Sequence, residues 1–97
     1  MFPSFLMHAK ATTKTVKFSF LAPNAKSVAV AGSFNKWNPT THPMKRGLRG
    51  KWSYSLKLPP GRYEYRFVVN GSQWVDDPSA KERCFNALGG QNCVVHM

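Results

Sequence analysis

Acidic residues are scarce in this sequence of 97 residues, which has four Asp and Glu against 14 Lys and Arg and a formal net charge of +10. The four are Glu64, Asp76, Asp77 and Glu82. A catalytic carboxylate pair such as that of a glycoside hydrolase needs two carboxyl groups roughly 5 to 9.5 Å apart. Asp76 and Asp77 are adjacent, and neighbours in an extended segment point in opposite directions. The sequence therefore argues against an enzyme, and Asp76-Asp77-Pro78 is interpreted as a turn.

Cysteine is also rare, with Cys84 and Cys93 as the two in the chain. Two cysteines do not form the dense disulfide framework of a small secreted domain, so a pair of partly buried thiols is favoured over a disulfide. No His or Cys pair has the close spacing of a zinc site, and no Gly-rich loop opens a helix to hold a phosphate. We expect no cofactor, no metal site and no catalytic residue.

Long hydrophobic runs are absent, since no stretch approaches the roughly 20 apolar residues that a membrane span needs. Residues 1–6 also lack the basic leading region, the sustained apolar stretch and the cleavage site of a signal peptide. We therefore expect a cytoplasmic protein with no membrane partner. The hydrophobic share of 42% is too high for a disordered tail, and the length fits one domain with a modest core.

The sequence instead shows alternation of apolar and polar residues. This period of two residues is typical of a half-buried strand. The alternating segments and the turn signals between them predict strands at residues 14–21, 27–34, 52–58, 62–69, 73–75 and 92–97. Residues 35–50 are predicted to form a long loop with a short strand near Met44, and residues 76–91 a second loop. No segment has apolar residues at helical spacing over three turns.

Several short strands joined by turns indicate an all-β, antiparallel sandwich. The antibody-type spacing of Cys, Trp and Cys is missing, so an immunoglobulin-like sandwich of another lineage fits better. Residues 14–97 are predicted to form this domain. Residues 1–13 have no clean period and are predicted to be an N-terminal tail or extension.

Two tryptophans, Trp37 and Trp74, lie beside predicted turns and outside the core pattern. Either one alone could simply cap an end of the sandwich, but the two together with nearby amides predict a binding platform. A flat indole receives a nucleobase or the C–H face of a sugar ring, and Asn and Gln amides both donate to and accept from sugar hydroxyls. Trp52 differs because it alternates in phase with Tyr54 and Leu56, so it is predicted to lie in the core.

Five segments, taken in order, closely resemble the family 48 carbohydrate-binding modules. They are residues 30–37 (VAGSFNKW), 52–58, 60–71 (PGRYEYRFVVNG), 74–78 and 86–95. That family includes the glycogen-binding domain of the AMP-activated kinase β subunit and the N-terminal modules of glycogen branching and debranching enzymes. The resemblance extends over residues 16–95, which is nearly the whole predicted domain.

The resemblance implies an immunoglobulin-like β-sandwich of the early set that binds α-1,4-linked glucans such as glycogen, starch and maltooligosaccharides without catalysis of its own. Trp37 and Trp74 match the residues that stack on glucose rings. Arg66 stands where the kinase-type domains have a Lys that bonds sugar hydroxyls, Leu88 matches an apolar loop residue, and Asn92 matches a hydroxyl-binding amide. Relatives also suggest a glucan-active enzyme or a kinase complex as a partner.

The sequence departs from the kinase-type pattern at two places. Gly90 replaces a hydroxyl-bearing residue, which would remove one sugar contact or move it to the backbone. The turn at residues 70–73 is one residue longer, which would shift Trp74 relative to Trp37.

Two other classes of function stay open at this point. The net charge suggests an anionic-polymer binder in which Lys and Arg contact the phosphates of a nucleic acid and the tryptophans stack on bases. Because the basic residues are spread along the chain, a solvated positive surface is favoured over such a site. Ionic strength distinguishes a nucleic-acid binder from a glucan binder, since nucleic-acid affinity falls steeply as salt is raised and glucan affinity does not. The third class is a protein-interaction module.

Overall fold

The computed structural model describes residues 13–86 and 90–97. Within these residues the strands are β1 (Lys14–Leu21), β2 (Val28–Gly32), β3 (Lys45–Arg46), β4 (Lys51–Leu58), β5 (Arg62–Val69), β6 (Gln73–Val75), β7 (Glu82–Phe85) and β8 (Gln91–His96). A short 3₁₀ turn, Leu48–Gly50, precedes β4. The predicted extension, residues 1–13, lies outside the described residues except for Thr13.

The strands form two antiparallel sheets. One has three strands in the order β1-β4-β3, and the other has the order β2-β5-β8-β7, with β6 also paired to β5. β2 occupies one edge of β5, while β6 and β8 share the other edge end to end. The predicted immunoglobulin-like antiparallel β-sandwich is confirmed. No helix among the described residues is long and apolar enough to cross a membrane.

The core lies between the sheets, where the predicted alternation brings the apolar residues together. Phe18, Trp52 and Phe67 are 3%, 6% and 0% exposed, and burying a side chain of this size contributes about 1.5–3 kcal/mol. The indole Nε1 of Trp52 donates to the carbonyl of Ala22 at 3.0 Å, and the guanidinium of Arg46 lies 5.7 Å from its ring centroid. Trp52 is therefore a core residue, as predicted.

The prediction that residues 76–91 form only a loop is wrong, because β7 lies within them. β7 pairs with β8 at the edge of the larger sheet, and three of its four side chains are exposed. An edge strand with so little burial has no apolar alternation to detect.

Both cysteines are thiols, as predicted, with Cys93 buried and Cys84 half-buried. Burial raises the pKa of Cys93.

The basic residues are also more clustered than their spread along the chain indicated. Lys17 on β1, Lys45 on β3, and Lys51 and Lys57 on β4 are all exposed. The alternate residues of β1 and β4 pack into the core, so these lysines share the outer side of the three-stranded sheet. We call this surface the lysine face. Alternate residues of a strand point to the same side of a sheet, so lysines that are far apart in the sequence lie together on one surface.

Asp77 is a buried anchor for the turn after β6. Its Oδ2 accepts a 2.6 Å hydrogen bond from the Tyr65 hydroxyl, and its Oδ1 accepts from the backbone N–H and the hydroxyl of Ser79 at 2.9 and 2.7 Å. Burial, together with the bond to Asp77, raises the pKa of Tyr65. The interpretation of Asp76-Asp77-Pro78 as a turn is confirmed.

We predict that Asp77→Ala lowers the free energy of unfolding by about 2–4 kcal/mol, because the Tyr65 hydroxyl and the Ser79 amide lose their buried acceptor. Asp76→Ala is the matched control. Asp76 is exposed and pairs with Arg66 at the surface, so its loss should cost less than about 1 kcal/mol. Urea unfolding of the two variants measures both values, and equal effects would contradict the assignment.

Candidate functional site

An open cleft of about 710 Å³ lies on the outer side of the five-stranded sheet. Its lining residues are Trp37, Glu64, Arg66, Trp74, Phe85, Asn86 and Asn92. Trp37, Arg66, Trp74 and Asn92 were predicted as site residues, and the fold brings these four together. The fifth, Leu88, lies outside the described residues.

Alternation along the strands explains why polar groups form the floor of this cleft. On β5, Tyr65 and Phe67 are buried in the core, so Glu64 and Arg66 point to the opposite side. On β8, Cys93 lies in the core opposite Tyr65, which directs the preceding Asn92 to the other side of the sheet, where its amide bonds Glu64. The same burial that forms the core therefore presents the polar residues to the cleft.

Trp37 is held by an unusual turn after β2. Lys36 and Trp37 have φ angles of 58° and 59°, a left-handed conformation that costs a residue with a Cβ roughly 1–3 kcal/mol. The Asn35 side chain stabilises the turn: its Oδ1 accepts from the N–H groups of Gly32 and Asn38 at 3.0 and 3.2 Å. The Trp37 N–H donates to the Gly32 carbonyl at 2.9 Å. These hydrogen bonds hold the backbone that carries the Trp37 indole.

Gly32 makes the close approach of this turn to β5 possible. A Cβ at this position would lie 2.4 Å from the carbonyl oxygen of Glu64 and 2.6 Å from the ring of Phe34. Since a backbone oxygen cannot move aside cheaply, only glycine fits. The turn that carries Trp37 is therefore seated directly against the strand that carries Glu64 and Arg66.

Trp74 lies on β6 and faces Trp37 across the top of the cleft. The Asn70-Gly71 turn predicted from sequence joins β5 to β6, and the register places Trp74 opposite Val68. The two indole centroids are 6.5 Å apart with an angle of 43° between the ring planes. Trp74 remains 37% exposed. The pair forms an angled aromatic surface open to solvent.

Arg66 acts on the position of Trp74 as well as lining the cleft. Its Nη2 pairs with the Asp76 carboxylate at 3.2 Å and donates to the Trp74 carbonyl at 3.4 Å. The Arg66 guanidinium therefore contacts both the carbonyl of Trp74 and the side chain of Asp76. The Arg66 Nε is buried without a hydrogen-bond partner within the described part of the chain.

Glu64 places an ionised carboxylate on the cleft floor. Its Oε1 accepts from the Asn92 side-chain amide at 3.0 Å, and its Oε2 accepts from Arg62 at 2.8 Å. These contacts, the Asn92 bond first and Arg62 second, lower the pKa of Glu64. At neutral pH the cleft therefore contains a fixed hydrogen-bond acceptor.

The hydrogen-bond chain continues from Asn92 to the loop after β7. The side-chain nitrogen of Asn86 donates to Asn92 Oδ1 at 3.2 Å, and Asn86 Oδ1 accepts from the N–H of Gly90 at 3.0 Å. The Asn86 backbone N–H also donates to the Gly90 carbonyl at 2.9 Å. The backbone N–H of Gly90, a position where the sequence departs from the kinase-type pattern, is thus already bonded within the chain.

Sequence reasoning missed three lining residues, Glu64, Phe85 and Asn86. Glu64 was detectable, because it lies two positions before Arg66 on an alternating strand and so shares its face. Phe85 is 79% exposed but belongs to the segment that was predicted as a loop. Asn86 gave no signal of its own, since its role depends on contacts with Asn92 and Gly90.

Comparison with known proteins agrees with this architecture. A profile of carbohydrate-binding module 48, described as the isoamylase N-terminal domain, matches residues 6–80. This range includes Trp37, Arg66 and Trp74 and ends before Asn92. The placement of Asn92 in the cleft therefore rests on the fold.

Three similar proteins are much longer than this chain. Protein PTST homolog 2, chloroplastic, of Arabidopsis thaliana is 48% identical over 61 residues, covering 62% of this chain and 11% of that protein. The 1,4-alpha-glucan branching enzyme GlgB of Deinococcus radiodurans is 40% identical over 80 residues, covering 76% of this chain and 11% of the enzyme. Protein FLOURY ENDOSPERM 6, chloroplastic, of Oryza sativa subsp. japonica is 44% identical over 54 residues, covering 56% and 10%. The chain spans about a tenth of the length of these relatives.

We predict that Asn35→Ala destabilises the protein by about 1–3 kcal/mol in a strained turn. The Gly32 N–H loses its side-chain acceptor, and the Asn38 N–H keeps only the backbone carbonyl of residue 35. Hydrogen exchange should accelerate at the amides of Gly32 and Asn38. The control is Asn24→Ala, which alters an exposed asparagine in another turn. Urea unfolding and residue-resolved exchange measure both effects, and unchanged exchange at both amides would refute the role given to Asn35.

Proposed function

Because the chain belongs to the carbohydrate-binding module 48 family, we propose that it is a non-catalytic module that binds α-1,4-linked glucans such as glycogen and starch. The observation that carries the proposal is the angled pair of Trp37 and Trp74 above a polar cleft floor. The similarity to the 1,4-alpha-glucan branching enzyme of Deinococcus radiodurans supports this linkage over others.

Aromatic stacking supplies the apolar part of the recognition. The C–H faces of glucose rings pack on flat indoles, and each such contact removes apolar surface from water. Successive rings of an α-1,4-linked chain are not coplanar, because the chain curves. Two indoles inclined by 43° suit such a curved chain better than a flat ribbon of rings.

Hydrogen bonds at the cleft floor supply the polar part. Glu64 is an acceptor for sugar hydroxyls, because each carboxylate oxygen has a lone pair beyond the one bonded to Asn92 or Arg62. Asn92 has a second amide N–H, and the Arg66 guanidinium has further N–H groups. Donors and a fixed acceptor side by side match the paired hydroxyls of a glucose ring.

Electrostatics favour a neutral ligand in this cleft over a nucleic acid. The Glu64 carboxylate lines the floor, and the Asp76 carboxylate follows shortly after Trp74. Each is paired with an arginine, so these arginines offer little net positive charge to a phosphate backbone whose bases stacked on the tryptophans. The clustered lysines of the lysine face belong to the other sheet.

A glucan-active enzyme or a kinase complex is the partner that we propose for any chemistry on the bound glucan.

We predict that Trp37→Ala and Trp74→Ala each weaken maltoheptaose binding by about tenfold or more, since a stacked aromatic contributes about 1–3 kcal/mol. The double variant should show no measurable binding to maltoheptaose or glycogen. Leu48→Ala is the control, because Leu48 is exposed and is not among the lining residues of the cleft. Calorimetric titration and residue-resolved NMR shifts test both ligand and site. Undiminished glycogen binding by the folded double variant would refute the proposal.

We further predict that Glu64 contributes to stability and glucan affinity only while it is ionised. Since its folded pKa lies below the unfolded value near 4.5, its contribution is complete above that pH and is lost as the pH falls through the folded pKa. Glu64→Gln should lower the free energy of unfolding by about 1 kcal/mol at pH 7 and should leave it unchanged in stronger acid.

The measurement is the pH profile of unfolding and of maltoheptaose binding for wild type and Glu64→Gln. The wild-type affinity should fall in acid while the variant stays flat over the same range. Glu82→Gln is the control, because Glu82 pairs with His96 away from the cleft. A wild-type advantage over Glu64→Gln that persisted in strong acid would contradict the role of the carboxylate.

A further inference from the structure

The lysine face has a regular arrangement of cations and small polar residues. Across the strands, Lys17 lies opposite Ser55, Lys57 opposite Thr15, and Lys45 opposite Ser53. Lys51 and Lys57 are six residues apart on β4, which corresponds to about 20 Å along the strand. β1, β3 and β4 contain no Asp or Glu. The surface therefore carries charge of one sign.

The charges of this face are not neutralised inside the protein. All four acidic side chains of the chain have partners elsewhere: Glu64 pairs with Arg62, Asp76 with Arg66, Glu82 with His96, and Asp77 accepts from Tyr65. Within the part of the chain that the structure describes, no lysine takes part in an ion pair. Like charges on neighbouring strands repel each other, so this face favours contact with an anionic partner.

Two exposed leucines adjoin one end of the same face. Leu21 and Leu48 are 66% and 89% exposed. Leu21 ends β1 directly opposite Lys51, and Leu48 begins the turn that leads into Lys51. The other large exposed apolar side chains among the described residues, Trp74 and Phe85, line the cleft. We call Leu21 and Leu48 the leucine tip.

The leucine tip has a defined backbone. The N–H of Ala22, next to Leu21, donates to the carbonyl of Gly50 at 2.9 Å, and the N–H of Gly47 donates to the carbonyl of Lys51 at 2.8 Å. These bonds tie the end of β1 to the turn before β4. Leu21 at the end of β1 and Leu48 in the turn before β4 are therefore carried by hydrogen-bonded backbone beside Lys51.

We propose that the lysine face and the leucine tip dock on an anionic lipid bilayer, while the cleft on the opposite sheet stays free for its ligand. Lysines that share one side of a sheet can contact several anionic headgroups at once. The leucines can enter the headgroup boundary, where exposed apolar side chains gain from burial. This is docking at a membrane surface and needs no membrane-spanning segment.

The other two classes of macromolecule explain fewer of these features. A nucleic acid would engage the lysines but leave the leucines without a role. Among the described residues, the lysine face has no aromatic side chain on which bases could stack. A protein partner would normally bury an interface core from which Lys and Ser are depleted, yet those residues form the centre of this face. Anionic lipid accounts for both the lysines and the leucines.

The first test is sedimentation with vesicles of phosphatidylcholine and phosphatidylglycerol in equal parts, against vesicles of phosphatidylcholine alone. We expect binding to the mixed vesicles only, and we expect it to weaken as NaCl is raised because the Debye length shortens. Equal binding to both kinds of vesicle, or binding to neither, would overturn the proposal.

The second test uses two variants of equal charge. One carries Lys45→Gln, Lys51→Gln and Lys57→Gln on the lysine face. The other carries Lys14→Gln, Lys26→Gln and Lys81→Gln, which are exposed positions off that face. Each neutralised lysine near an anionic surface should cost about fivefold in affinity, so the first variant should lose roughly a hundredfold. The second should lose only a few-fold through its net charge.

Maltoheptaose binding by both triple variants shows that they are folded, since neither alters the lining of the cleft. Leu48→Ser should weaken vesicle binding and leave maltoheptaose binding unchanged. An equal loss in the two triple variants would overturn the lysine face as a site and leave net charge as the cause. Tight, salt-sensitive binding of duplex DNA without vesicle binding would overturn the lipid assignment in favour of a nucleic acid.

Discussion

The alternation of side chains along β5 is the constraint on which both the core and the cleft depend. Tyr65 and Phe67 point inward and are 5% and 0% exposed, so Glu64 and Arg66 must point to the other side. β5 also pairs with β2, β6 and β8, the strands that lead to Trp37, carry Trp74 and carry Asn92. A register shift of one residue would exchange the two faces. The apolar core therefore specifies where the polar groups of the cleft lie.

The cleft is held in place by bonds made before any ligand arrives. Asn35 stabilises the left-handed turn at Trp37, Arg66 contacts the backbone of Trp74, and Asn92 is held between Glu64 and Asn86. Groups that are already ordered lose little conformational entropy on binding. The strain at Lys36 and Trp37 is thus offset by local hydrogen bonds, and it serves to present the indole.

Much of this architecture could be predicted from sequence because its signals are local. The strands with clean alternation, the Asn70-Gly71 hairpin and the core position of Trp52 all follow from patterns a few residues long. β7 was missed because an exposed edge strand is specified by its pairing with β8 and not by its own sequence. The roles of Glu64 and Asn86 and the lysine face were missed for a related reason: each depends on residues that are distant in the chain and become neighbours only through the sheet register.

Charge is separated across the sandwich in a way that keeps its two surfaces independent. Glu64 and Asp76 pair with Arg62 and Arg66 beside the cleft, Glu82 pairs with His96 elsewhere on the larger sheet, and Asp77 accepts from Tyr65 of the same sheet, while the lysine face has no carboxylate. The sheets are about 10 Å apart, and a Debye length of about 8–10 Å screens lysines that project further into solvent. A neutral ligand in the cleft therefore experiences little of the +10 net charge. With a packed core between them, joint occupancy of the two surfaces would act through effective concentration.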